Sequence, residues 1–184
     1  MFLLGKPDPW KLLKQKDLQG LLKALEHRDG DVRNGAAKAL GLLGDSRGVE
    51  PLIAVLRDKD GDVRRSAAKS LGELGNSRAV EPLIAVLMSS DRYVHECAAI
   101  ALGQLRDVRA AESLLRLVTM RQADTPAQWA AIAALEKLGD PSTIPALVAA
   151  VEPLIKVLVE SGGGKDRRYA ARTLGELVSV GKPP

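Results

Sequence analysis

Three adjacent side chains could do chemistry: His95, Glu96 and Cys97. An imidazole beside a carboxylate can ligate a metal, and a thiolate with a histidine base can act as a nucleophile. Both chemistries need more partners than the chain supplies. The other histidine is His27, in a different sequence context, and Cys97 is the single cysteine. A metal site would lack ligands, and Cys97 has no base beyond its neighbour in sequence. A lone cysteine excludes an internal disulfide and a multi-cysteine zinc site, and it fits a reducing compartment. Gly162-Gly163-Gly164 lacks the Gly-Lys-Ser/Thr pattern of a phosphate loop and reads as a flexible inner turn. No catalytic residue, metal or cofactor is expected, and the chain is not expected to be an enzyme.

The elements that carry these residues come from a repeat. Val49-Glu50-Pro51-Leu52-Ile53-Ala54-Val55-Leu56 recurs unchanged from Val80 to Leu87, and again with one substitution from Val151 to Leu158. A second block follows each first one. Asp31-Val32-Arg33 leads to Ala36-Ala37 and Leu40-Gly41, and Asp62-Val63-Arg64 leads to Ala67-Ala68 and Leu71-Gly72. The anchor leucines Leu40, Leu71, Leu102, Leu135 and Leu174 are spaced by 31, 31, 33 and 39 residues. The extra residues of unit four fall around Arg121 to Ala123. Most of those in unit five precede Val151, which predicts a long first helix, kinked or broken near Pro153.

Each block predicts a helix, A then B. Leu52, Val55 and Leu56 make an apolar stripe in A, and Val32, Ala36, Leu40 and Leu43 make one in B. Asp29, Asp60, Asp91 and Asp124 stand where an N-cap must accept the first free amides of helix B. Gly44 and Gly75 stand where the helix must end. One hairpin cannot bury both faces alone, so neighbours must stack. Residues 1–16 lie outside the repeats. Asp8-Pro9-Trp10 predicts a short helix start, with Trp10, Leu12 and Leu13 covering the open end of the first hairpin. Residues 17–184 form the repeat domain, in units of about 17–47, 48–78, 79–109, 110–142 and 143–180.

The register exposes one stripe of helix B. If Val32, Ala36 and Leu40 face the core, positions 31, 34, 35 and 38 face the other way. In units one and two the stripe is small or charged: Asp31, Asn34, Gly35 and Lys38, then Asp62, Arg65, Ser66 and Lys69. Later it becomes Tyr93, Glu96, Cys97 and Ile100, then Trp129, Ala130 and Ala133, then Arg168, Tyr169 and Arg172. Aromatics and arginine dominate interface energetics. Trp129 and Tyr169 are therefore the expected anchors, and the partner is expected on the three C-terminal units. Arg33, Arg64 and Arg167 share another position, taken by His95 and Gln128 in the remaining units. A guanidinium there is expected to bridge carboxylates or turn carbonyls of adjacent units.

The Val-Glu-Pro-Leu-Ile, Asp-Val-Arg, Ala-Ala and Leu-Gly blocks, with the loops Gly44 to Arg47 and Gly75 to Arg78, resemble HEAT-like repeats of the phycobilisome-lyase type. They are also similar to the natural parents of designed alpha-repeat scaffolds. The resemblance implies an all-α fold: a right-handed α-α superhelix of five two-helix repeats plus a short N-terminal capping helix. It implies that the B helices line a concave face. The function it implies is a non-enzymatic scaffold or accessory subunit that binds a protein or peptide there. A chromophore-lyase-like subunit is a narrower alternative. The run Val94 to Ala99 also resembles the His-Glu motifs of deoxyhypusine hydroxylase, a HEAT-repeat enzyme with a di-iron centre. That family needs several such pairs, and this chain has one. A further alternative is nucleic-acid binding or DNA repair, because some HEAT-like proteins are DNA glycosylases. Against it, Asp31, Asp62 and Glu96 share the stripe with the cations.

The bulk numbers agree with this reading. Hydrophobic residues make 46% of the 184 and aromatics 3%, which suits close-packed helices better than a β-sandwich. The formal charge of +4 is too small for a dedicated nucleic-acid arm. The apolar run at Phe2 to Leu4 is too short for a signal peptide, and no stretch approaches the roughly 20 apolar residues of a membrane span. A cytoplasmic monomer or homodimer is expected.

Overall fold

In a computed structural model of the protein, residues 6–119 and 125–139 are described, and every structural statement below concerns them. Nine α-helices occur among these residues, and no strand. They are α1 (Pro9–Lys14), α2 (Leu18–Leu25), α3 (Gly30–Leu43), α4 (Val49–Ala54), α5 (Gly61–Leu74), α6 (Val80–Leu87), α7 (Arg92–Leu105), α8 (Ala111–Thr119) and α9 (Thr125–Leu138). The pairs α2/α3, α4/α5, α6/α7 and α8/α9 are antiparallel hairpins. Each B helix packs on the next, α3 on α5, α5 on α7 and α7 on α9, so the B helices form one continuous layer. The architecture is an all-helical solenoid. Unit five, the inner turn of unit four and the expectations for Pro153 and Gly162 to Gly164 lie outside the described residues.

The local signals act where the sequence places them. The carboxylates of Asp29, Asp60 and Asp91 accept the amides of Asp31, Asp62 and Tyr93, which fixes the first turn of α3, α5 and α7. With the start fixed, the periodicity fixes the buried side. Val32, Ala36 and Leu40 are buried in α3, as are Val63, Ala67 and Leu71 in α5 and Val94, Ala98 and Leu102 in α7. Gly44 and Gly75 close their helices in the left-handed conformation, with φ of 72° and 66°. Unit three has Arg106 at that place, with φ of 52°. An L side chain costs about 1 kcal/mol there.

The second residue of the Leu-Gly pair touches the next unit. A Cβ on Gly72 would lie 2.8 Å from the Cα of Ala101, and one on Gly103 the same distance from the Cα of Ala134. On Gly41 it would meet the hydroxyl of Ser70. Ser70 also donates to the carbonyl of Ala37 at 2.9 Å. The B helices thus approach backbone to backbone at small residues.

The N-terminal segment covers the first hairpin differently from the expectation. Pro9 is buried, and a Cβ on Gly35 would come 2.9 Å from its ring. Leu12 and Leu13 pack half-buried against the core, but Trp10 is 48% exposed. In so short a helix, positions 9, 12 and 13 take the inner stripe by their i, i+3, i+4 spacing, and Trp10 falls outside it.

Two substitutions test this packing. Gly72→Ala is expected to lower stability by roughly 1–3 kcal/mol, although alanine favours a helix by about 1 kcal/mol. Arg106→Gly is expected to raise stability by about 0.5–1 kcal/mol through relief of the left-handed strain. Urea midpoints read both; an unchanged midpoint for Gly72→Ala would mean the helices can part without cost.

Candidate functional site

Because the cap aspartates set one register in every unit, the B helices present equivalent residues in rows. One row is Asp31, Asp62 and Tyr93, a second is Asn34, Arg65 and Glu96, and a third is Lys38, Lys69 and Ile100. Eight of these nine are exposed, Ile100 at 39%, and Asn34 is half-buried. Tyr93 is 75% exposed. The structure therefore brings Arg65, Lys69, Tyr93, Glu96 and Ile100 to one face, as the periodicity requires. Between α3 and α5 the face holds a groove of about 290 Å³, lined by Asn34, Lys38, Asp62, Arg65, Ser66 and Lys69 and reaching Cys97. Ser66 donates to the Asn34 side-chain oxygen at 2.6 Å. Arg65 lies 3.4 Å from Asp62, and Lys69 lies 3.8 Å from Glu73. Exposed contacts of that kind hold their partners weakly, by about 0–1 kcal/mol, so these cations can turn toward a ligand.

Trp129 departs from the expectation. It is 3% exposed, and its indole nitrogen has no hydrogen-bond partner among the described residues. It is a buried residue and not an anchor on an open surface. Register gives the direction of its Cβ, not whether a wall stands beside it, and a large apolar ring leaves water wherever it finds one. Ala133 is half-buried. Arg168, Tyr169 and Arg172 lie outside the described residues.

The other candidate chemistry is structural. The Arg33 guanidinium grips Asp58 with two bonds, 2.7 and 2.8 Å, and donates to the carbonyls of His27 and Arg28. It is 6% exposed. Arg64 repeats this with the carboxylate of Asp91 and the carbonyl of Asp58. His95, in the same position, bonds the carbonyl of Ser89 at 2.9 Å, and Gln128 donates to that of Val118 at 3.1 Å. Each side chain thus ties down the inner turn of its own unit, and the two arginines also reach the next unit's turn. His95 and Glu96 point apart, one buried against its turn and the other exposed. Among the described residues, no three His, Cys, Asp or Glu side chains gather as a metal-binding group. No described helix is long and apolar enough to cross a membrane.

Sequence reasoning missed a second recess. A cleft of about 630 Å³ opens on the A-helix side, walled by Ile53, Ala54, Pro82, Ala85 and Val86 with Arg64 and Asp91 at one end. It lies between two identical octapeptides that close differently. α4 tightens into a 3-10 turn at Val55–Arg57, and α6 stays helical through Leu87. The apolar residues Ile53, Ala54 and Ala85, off the A stripe, were the available signal.

The family now follows from comparison. The model of HEAT repeats matches residues 18–96, 49–125 and 80–152, which together cover most of the chain. The chain belongs to the HEAT-repeat family. Its solenoid is similar to a chain from the complex of CpcE and CpcF of phycocyanin lyase from Nostoc sp. PCC7120, at 30% identity and TM-score 0.70. That match covers 88% of this chain and 65% of the other, so this chain spans less than two thirds of that protein. An engineered protein matches at 26% identity and TM-score 0.64, over 96% of this chain and 86% of its own. A designed armadillo repeat protein in complex with the peptide (KR)4 shares the fold at 17% identity and TM-score 0.58, over 92% and 85%. No curated protein matches the chain.

Burial pushes the Asp58 carboxyl up, but the Arg33 fork, the Asp60 amide and the charges of Arg33 and Lys59 outweigh it and hold it below its ordinary 3.8. A depressed carboxylate contributes stability above its unfolded value, and that contribution is lost as pH falls through the folded one. Asp58→Asn is therefore expected to cost roughly 1–3 kcal/mol at pH 7. The gap to wild type should narrow below about pH 4, as urea midpoints taken from pH 7 down to acid would record. A gap independent of pH would remove the ion pair as its cause.

Proposed function

We propose that this HEAT-repeat protein is a non-enzymatic interaction module that holds a protein or peptide on the face built by α3, α5 and α7. One observation carries the reading. Tyr93 and Ile100 stand exposed beside Arg65 and Lys69, on helices whose remaining sides are buried. Scattered apolar residues on a surface are ordinary, but an aromatic, an aliphatic and cations aligned by repeat position have the composition of an interface. In a HEAT-like solenoid the second helices line the concave side, where a ligand meets several units at once.

The stripe alternates in sign, with Asp31, Asp62 and Glu96 among its cations, and this favours a polypeptide over a phosphate backbone. A second reading, a lyase-like accessory subunit, rests on the similarity to the phycocyanin lyase chain. Retention on immobilised phycocyanin would favour it over a general scaffold.

The double substitution Tyr93→Ala with Ile100→Ala tests the main reading. Partner capture is expected to fall about tenfold or more, with circular dichroism and thermal midpoint unchanged because neither side chain supports the core. Full capture by the folded variant would sink the proposal.

A further inference from the structure

We infer that the groove across α3, α5 and α7 takes an acidic peptide segment in polyproline-II conformation, with two carboxylates and one apolar side chain spaced about three residues apart. This rests on the reading of that face as a binding surface and specifies the ligand's chemistry.

The groove is rich in donors. Lys38, Arg65 and Lys69 line it against a single carboxylate, Asp62. Asn34 also lines it; its side-chain oxygen accepts from Ser66, and its amide N–H groups are available to donate to a ligand. Such a wall selects acceptors carrying negative charge.

The rows select the spacing. Lys38, Lys69 and Ile100 hold the same repeat position in three successive units. Packed helices stand about 8–10 Å apart. A polyproline-II chain rises about 3.1 Å per residue and turns once in three, so about three residues cross one unit and every third side chain faces the helices. Such a polyproline-II segment laid across the B helices would offer an acid to Lys38, a second acid to Lys69 and an apolar side chain to Ile100. Arg65 lies in the adjacent row, within reach of either carboxylate, and Tyr93 adds apolar surface on α7.

The charges also argue against a polynucleotide. Its phosphates are evenly repeated and would run past Asp31, Asp62 and Glu96 on the same face. A peptide with spaced acids engages the cations and leaves those positions facing neutral residues.

The test uses the full chain and fluorescence anisotropy. The probe is a labelled peptide of about ten residues, with Glu at two positions three apart, Leu three further on, and Gly and Ser elsewhere. One control carries Lys for Glu, a second carries Gln, and a third is an oligothymidine of matched length. At low salt the Glu probe is expected to bind about tenfold or more tighter than the Lys and Gln probes, and to weaken as salt rises. Lys38→Glu with Lys69→Glu should reverse that preference, and Lys38→Gln with Lys69→Gln should abolish it. Both lysines are exposed, and the helical signal of each variant verifies the fold. Ile100→Ala should lower affinity severalfold for the Glu probe without changing the order of the probes. The inference is overturned if the Lys probe binds as well, if the oligothymidine binds better, or if charge reversal leaves the Glu probe unaffected. If the Lys or Gln probe binds instead and Tyr93→Ala weakens it, the acidic ligand is wrong while the face remains a binding surface. If no probe binds and the Tyr93→Ala, Ile100→Ala protein captures partners as wild type does, both fall.

Discussion

Consecutive B helices meet with almost no side chain between them, and most of the molecule follows from that closeness. Gly72 faces Ala101, Gly103 faces Ala134, and Gly41 faces Ser70. Where backbones come so near, the large residues must point either inward or outward. The inward ones, Leu40, Leu71 and Leu102, share the core with the A helices. The outward ones form the rows of the candidate surface. A helix layer held at small residues thus has one apolar side and one chemically variable side, and the variable side can change from unit to unit at little cost to the fold.

The polar contacts serve the same stacking. Arg33 and Arg64 are buried or half-buried because each ties its own inner turn and grips a carboxylate on the next. A guanidinium can do this because its planar fork donates in several directions at once. Asp91 caps α7 and accepts Arg64, so one carboxylate fixes both where a helix starts and where its neighbour sits. On the loop side, Asp45 is held down to about 2 by the Arg47 side chain and amide, and Asp107 is lowered by Arg109 in the same way. Arg109 also lies 3.3 Å from Glu81 at the start of α6.

Much of this was legible in the sequence because its signals are local and repeated. The cap aspartates and closing glycines are read from one residue each. They fix the register that placed Arg65, Lys69, Tyr93, Glu96 and Ile100 on one face. What was not legible depends on contacts between distant residues. Trp129 has the register position of Glu96 and the opposite burial, because register does not say what covers a side chain. Trp10 lost the inner stripe to Pro9 because six residues of helix leave room for one set of contacts. The outer cleft could not be read from Val-Glu-Pro-Leu-Ile-Ala-Val-Leu, since both copies have that sequence and only one tightens at its end. The reason for Leu-Gly, a clash avoided one unit away, also emerges only in three dimensions.

The arginine links have a mechanical consequence. They join unit one to unit two and unit two to unit three, each through a buried or half-buried ion pair. At the third junction the equivalent residue is His95, which among the described residues bonds only the turn of its own unit. A pull along the array of hairpins would therefore load the first two junctions through these paired charges. Under strain the two ion pairs would hold the face that carries Lys38, Lys69 and Ile100 together as one stiff plate.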